Sequence, residues 1–136
     1  MRLVLALLLT ACASVPVPPV TPEPTAMPGP LTGQQVIDRL IAAGLEVTDV
    51  GELGRPEGMP EHYQFTERLG FTTEGKGGQV YVCETRPHCD LLMEFFRALE
   101  AFGGTYYYLS GDGLFIVQLN QELPEETAER FREIVE

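Results

Sequence analysis

Between Ala13 and Pro30 the chain carries Pro16, Pro18, Pro19, Pro22, Pro24, Pro28 and Pro30, and no aromatic residue. Proline fixes φ and has no N–H to donate, so this tract joins neither a helix interior nor a sheet interior. It confines any packed fold to the roughly 106 residues from Leu31 onward, a length at which one domain buries a real core. The tract itself reads as an extended, semi-rigid spacer rising ~3 Å per residue and reaching roughly 50 Å. A proline-rich ligand for an SH3-like groove is the sharper alternative.

The residues ahead of the tract have a different character. Arg2 gives a positive start, Leu3 to Leu9 is an uninterrupted apolar run, and small residues follow at Ala11, Cys12, Ala13 and Ser14. A charged beginning, a short apolar stretch and a small-residue boundary make a secretory leader. The run is far shorter than the ~20 residues of a membrane span. An ordinary leader cleaved near Ala13 and a buried N-terminal strand are the alternatives, and the strand has nothing to pair with before the prolines begin. Leu9-Thr10-Ala11-Cys12 resembles the lipobox of bacterial lipoproteins, with Cys12 directly after the cleavage point. The resemblance covers only this leader. It implies that residues 1–11 are removed, that the Cys12 sulfur takes a diacylglyceryl group, and that the new amino group is often acylated. Residues 12–30 would then be a lipidated tether and residues 31–136 a single domain facing the extracytoplasmic side. Two or three acyl chains hold a protein firmly where one holds it marginally. In Gram-negative lipoproteins Asp after the Cys implies inner-membrane retention. Ala13 stands there, which leaves either membrane open.

The chain has 9 Lys and Arg against 20 Asp and Glu, a net charge of −11, and removing Arg2 with a leader makes it more acidic still. Such a surface repels nucleic acid and anionic lipid heads. It suits solubility, and no clustered acidic motif points to a cationic partner.

Within the domain, Thr32 with Gln35 and Leu31 with Val36 form a helix start. Val36, Ile37, Leu40 and Ile41 lie on one helical face, Leu45 lies beyond the helix end, and Gly44 suits the left-handed closing position. Glu46 to Val50 reads as a strand and Gly51 to Glu61 as an irregular loop. Strand character covers at least Arg68 to Thr73, and Glu74 to Gly78 reads as a turn. Gln79 to Glu84 is a strand with Val80 and Val82 on one face and Tyr81 and Cys83 on the other. The two strands make a hairpin. Thr85 and Pro87 start a helix whose expected face is Leu92, Phe95, Phe96, Leu99 and Phe102, and Gly103-Gly104 stops it. Thr105 to Leu109 and Leu114 to Leu119 are strands joined by Ser110-Gly111-Asp112-Gly113. Pro124 opens a last helix with Phe131, Ile134 and Val135 as its apolar positions. The expectation is an α+β fold in the order α-β-β-β-α-β-β-α, with an antiparallel sheet of about four to five strands and helices packed on it. The strand order does not follow. The Ala42-Ala43-Gly44-Leu45 helix exit and the Leu114 to Asn120 strand feeding a Pro-Glu helix are similar to small domains of bacterial exported proteins, a resemblance that implies no activity.

With Cys12 lipidated, Cys83 and Cys89 remain, and an even pair in an oxidising compartment suggests a disulfide. Two free thiols are the bland alternative. A metal site from Cys83, His88, Cys89 and Asp90 is the sharp one, although Cys-x₄-His-Cys is not a standard ligand spacing. The histidines, His62 and His88, read as a loop residue and a helix-start residue. A small hydrolase using one of them remains an alternative. The serines are Ser14 in the tether and Ser110 in a turn, and neither belongs to a triad pattern. No cofactor motif is present, since Gly75-x-Gly77-Gly78 precedes no helix. Tyr106-Tyr107-Tyr108, with Tyr81, is the feature with binding character. Alternation puts Tyr106 and Tyr108 on one face and Tyr107 on the other. Tyrosines on a partly open sheet can contact a glycan, a peptide or another protein, and the plainer reading is ordinary strand residues with their hydroxyls reaching water. The expectation is a membrane-anchored extracytoplasmic module that binds or scaffolds and does not catalyse, and the alternative is a metal- or thiol-handling protein built on Cys83, His88 and Cys89.

Overall fold

The computed structural model describes residues 14–19 and 29–136. The leader, Cys12 and its lipidation, and residues 20–28 of the proline tract lie outside the described residues. Ser14 to Pro19 is exposed and has no secondary structure.

The fold is α+β. Its elements are α1 (Gly33–Ala42), β1 (Thr48–Glu52), β2 (Glu67–Thr73), β3 (Lys76–Val82), α2 (Arg86–Glu100), β4 (Tyr106–Leu109), β5 (Phe115–Leu119) and α3 (Glu125–Val135). The strands form one antiparallel sheet in the order β1-β2-β3-β5-β4. Among the described residues no helix is long and apolar enough to cross a membrane.

Alternation along the strands creates two apolar faces. Val80, Val82, Phe115, Val117 and Leu119 point to one face, which α1 and α3 cover with Val36, Ile37, Leu40, Ala128, Phe131 and Val135. Tyr81, Cys83 and Ile116 point to the other, which α2 covers with Cys89, Leu92, Met93 and Phe96, joined by Met59 from the β1–β2 loop. Each buried side chain of this size stabilises the fold by about 1.5–3 kcal/mol relative to exposure.

Helix α1 starts in a capping box. The Gln35 amide donates to Thr32 Oγ1 at 3.2 Å, and the Thr32 amide donates to Gln35 Oε1 at 3.0 Å. The Gly33 amide donates to Glu67 Oε2 at 2.7 Å, so a carboxylate on β2 satisfies the positive end of the helix. A Cβ at Gly33 would sit 2.8 Å from that same oxygen, which explains a glycine there. Gly44 closes the helix at φ +87°.

Several boundaries and faces differ from expectation. β1 begins at Thr48, two residues late, with a register irregularity between Thr48 and Gly51 and Asp49 at φ +51°. The first hairpin turns on Glu74 and Gly75 alone, both with positive φ, so Gly77 and Gly78 are strand residues. Two left-handed residues match the twist of the flanking strands, and a wider turn is unnecessary. On α1, Ile41 is exposed. On α2 the buried stripe is Cys89, Leu92, Met93 and Phe96, while Leu99 is 41% and Phe102 89% exposed. α2 ends at Glu100, so Phe102 lies beyond the helix, and Leu99 faces an open hollow above the sheet. On α3, Ala128 is buried and Ile134 is exposed at 38%.

Candidate binding cleft

The second face of the sheet is only partly covered, and the strand register shows where cover stops. One row of paired residues is Arg68, Tyr81, Ile116 and Leu109, and it lies on the α2 side. The next row is Gly51, Gly70, Gln79, Gln118 and Tyr107, spanning all five strands. Beyond it Thr72 pairs with Gly77, whose carbonyl accepts from the Asn120 amide at 3.2 Å. From the middle row outward the apolar residues give way to glycine, amide and hydroxyl side chains.

A cleft of about 580 Å³ stands over this outer half, with Leu53 on the β1 side and Thr105 and Gln121 on the β4 side. Its size lies within the ordinary range for ligand sites. Gln79 and Gln118 also line a neighbouring hollow of about 290 Å³ between α2 and the β1–β2 loop, where Phe95, Leu99 and Met59 provide apolar walls. The two spaces share those glutamines and form one groove with an aromatic end and a polar end.

Gln79 is fixed from within. Arg68 Nε donates to Gln79 Oε1 at 2.9 Å, and the Tyr81 hydroxyl donates to the same oxygen at 3.0 Å. A second Arg68 nitrogen donates to the Gly54 carbonyl at 2.7 Å, and the guanidinium lies 5.6 Å from the Tyr81 ring centre. The carbonyl end of the amide is thereby occupied, and its amide nitrogen makes no hydrogen bond among the described residues. Gln118 makes no side-chain hydrogen bond among them either. Tyr107 is stacked on Phe96 at 4.7 Å with ring planes 10° apart. Burial pushes the Tyr81 and Tyr107 phenols above their ordinary range, so both stay neutral hydrogen-bonding groups at physiological pH.

The expected tyrosine set does not form one surface. Tyr81 and Tyr107 belong to the cleft face, with Tyr81 itself buried, while Tyr106 and Tyr108 pack with the opposite core and Tyr108 is buried. Cys83 and Cys89 are bonded to each other, with Cα atoms 5.6 Å apart, and both are buried. That bond consumes the two thiolates on which a Cys83, His88, Cys89 metal site with Asp90 would depend, and among the described residues no three His, Cys, Asp or Glu side chains gather as metal ligands. His62 is exposed, with its ring 4.1 Å from that of Tyr63, and His88 sits half-buried in the first turn of α2. The Ser110 oxygen accepts from the Leu114 and Phe115 amides, both at 3.1 Å, and its hydroxyl donates to Asp112 at 2.7 Å. It is therefore a turn-closing group. The sequence reading missed Arg68, Gln79, Gln118 and the glycines. One signal was available: Gln118 interrupts the otherwise apolar run Phe115 to Leu119.

No protein-family model matches the chain, and no curated protein or solved structure matches it either.

Proposed function

We propose that the protein is a lipid-anchored extracytoplasmic binding module, and not an enzyme, whose working surface is the cleft on the second sheet face. The observation that carries this reading is the combination of a cleft over the outer half of the sheet with the Gln79 amide nitrogen and the Gln118 side chain, which make no hydrogen bond among the described residues. Those groups recognise polar ligands. They offer neither a nucleophile with an adjacent base nor a carboxylate pair for acid–base work. Export is supported by the Cys83–Cys89 bond, since disulfides persist in oxidising compartments. The Leu9-Thr10-Ala11-Cys12 motif supports the anchor, and the proline tract gives the domain reach from a membrane surface.

Fractionation of the native host tests the anchor. The wild-type protein is expected in the membrane fraction with acyl mass on Cys12, and Cys12→Ser is expected either to leave it or to retain its leader. Unchanged processing and fractionation in Cys12→Ser would count against the anchor.

A further inference from the structure

We infer that the cleft takes a neutral oligosaccharide lying flat on the sheet; this rests on the reading of the cleft as the working surface. The middle of the floor belongs to β2, β3 and β5, whose backbone groups are already paired on both sides, while Gly51 lies on the edge strand β1. A peptide strand seeks free backbone donors and acceptors at a sheet edge, and the middle of this floor has none to give. A sugar ring needs no such edge. It offers apolar C–H faces to a flat surface and hydroxyls around its perimeter.

Gly51 and Gly77 leave the floor bare at their positions, while the Leu53 side chain lies over Gly70. A Cβ at Gly51 or Gly77 would meet nothing within 4 Å, and neither has the left-handed backbone that demands glycine. Glycine inside a strand is destabilising relative to Ala, and no neighbouring side chain within the fold requires it at these two positions. A strand glycine marks a bulge or a close approach to the backbone; the register irregularity accounts for Gly51, and Gly77 is left for the second. Around that floor, Gln79, Gln118, Thr72 and Thr105 supply amides and hydroxyls that donate and accept, matching groups that do both.

Charge weighs against an anionic ligand, since Asp49 and Glu122 stand in the cleft lining. The Arg68 guanidinium is engaged by Gln79 and by the Gly54 carbonyl, and Lys76 beside the cleft is held by Glu122 at 2.7 Å. No uncommitted cation lines the cleft among the described residues, and the chain as a whole carries −11, so an anionic glycan meets repulsion.

The test titrates the full-length protein calorimetrically with chitotetraose, cellotetraose, maltotetraose and the neutral peptide acetyl-Gly-Asn-Gly-Ser-Gly-amide. At least one of the sugars is expected to bind, and Gly77→Val and Gln118→Ala are each expected to weaken it at least tenfold. Neither variant removes an internal contact, so Gly77→Val is expected to leave the thermal midpoint unchanged or raise it. Binding of no sugar, or sugar binding unaffected by both variants, overturns the inference. Peptide binding with the same sensitivity to the variants overturns the oligosaccharide and keeps the cleft as the working surface. Silence toward all four ligands, with Cys12-dependent anchoring intact, overturns the oligosaccharide and removes the cleft from the proposed function.

Discussion

One hydroxyl closes the second hairpin. Ser110 is 4% exposed, yet its side chain makes three hydrogen bonds, and it is the acceptor that the Phe115 side of the turn depends on. The Leu114 amide has a second acceptor in Asp112 Oδ1 at 3.0 Å, whereas the Phe115 amide has no other side-chain acceptor among the described residues. A buried amide without a partner costs about 1–3 kcal/mol. Ser110→Ala is therefore expected to lower stability by roughly 1–2 kcal/mol, read as a shift in the urea midpoint at constant slope. An unchanged midpoint would show that water replaces the hydroxyl. The sequence places Ser110 in a turn correctly. What it hides is that the turn folds inward, because burial of a polar atom depends on Phe115 and on the end of α3 at Val135, whose carbonyl accepts from the Gly111 amide at 3.2 Å.

At the scale of elements, periodicity exposed most of the architecture. The alternation in β3 separates the two cores as read, and the chain order of helices and strands agrees with the sequence. Periodicity fails at an element's end. Leu99 keeps the phase of the α2 stripe and Phe102 falls beyond the helix end, but phase says nothing about where the helix stops or what packs against it. The cleft was illegible for a related reason: its rows exist only through cross-strand register, and β3 and β5 become neighbours only in the folded sheet. Helix α2 is positioned at its start by Cys89, which the bond to Cys83 ties to the end of β3. With 6 residues of separation, closing this loop stabilises the fold by about 2 kcal/mol in the chain-entropy model. The Cys83→Ala, Cys89→Ala double variant is expected to lose about that much, and reductant is expected to destabilise the wild type but not the variant. Equal sensitivity to reductant in both would contradict the assignment.

For the molecule as a whole, the tyrosines set an alkaline limit. Burial, the neighbouring Tyr106, and the carboxylates of Glu129 and Glu136 push Tyr108 up to about 12, with Arg132 pulling the other way. Tyr81 and Tyr107 are raised as well, chiefly by burial. A phenol raised in the folded state contributes stability that is fully present below its unfolded value of 10.0 and is lost as pH climbs through the folded value. Unfolding free energy is thus expected to be insensitive to these groups below about pH 9 and to fall between about pH 10 and 12. Tyr108→Phe is expected to flatten part of that fall, and an unaltered slope would locate the alkaline limit elsewhere.

The sheet order also sets a timetable for the chain as it is made. β3 meets its first neighbour across a tight turn, but its other side waits for β5, which arrives only after α2 and β4. A nascent polypeptide that has reached Leu109 therefore has half a sheet, an unpaired β4 and a bare central strand. β3 is therefore sealed on its second side only when β5 arrives, and the Cys83–Cys89 pair, already made by then, can bond before the middle of the sheet closes.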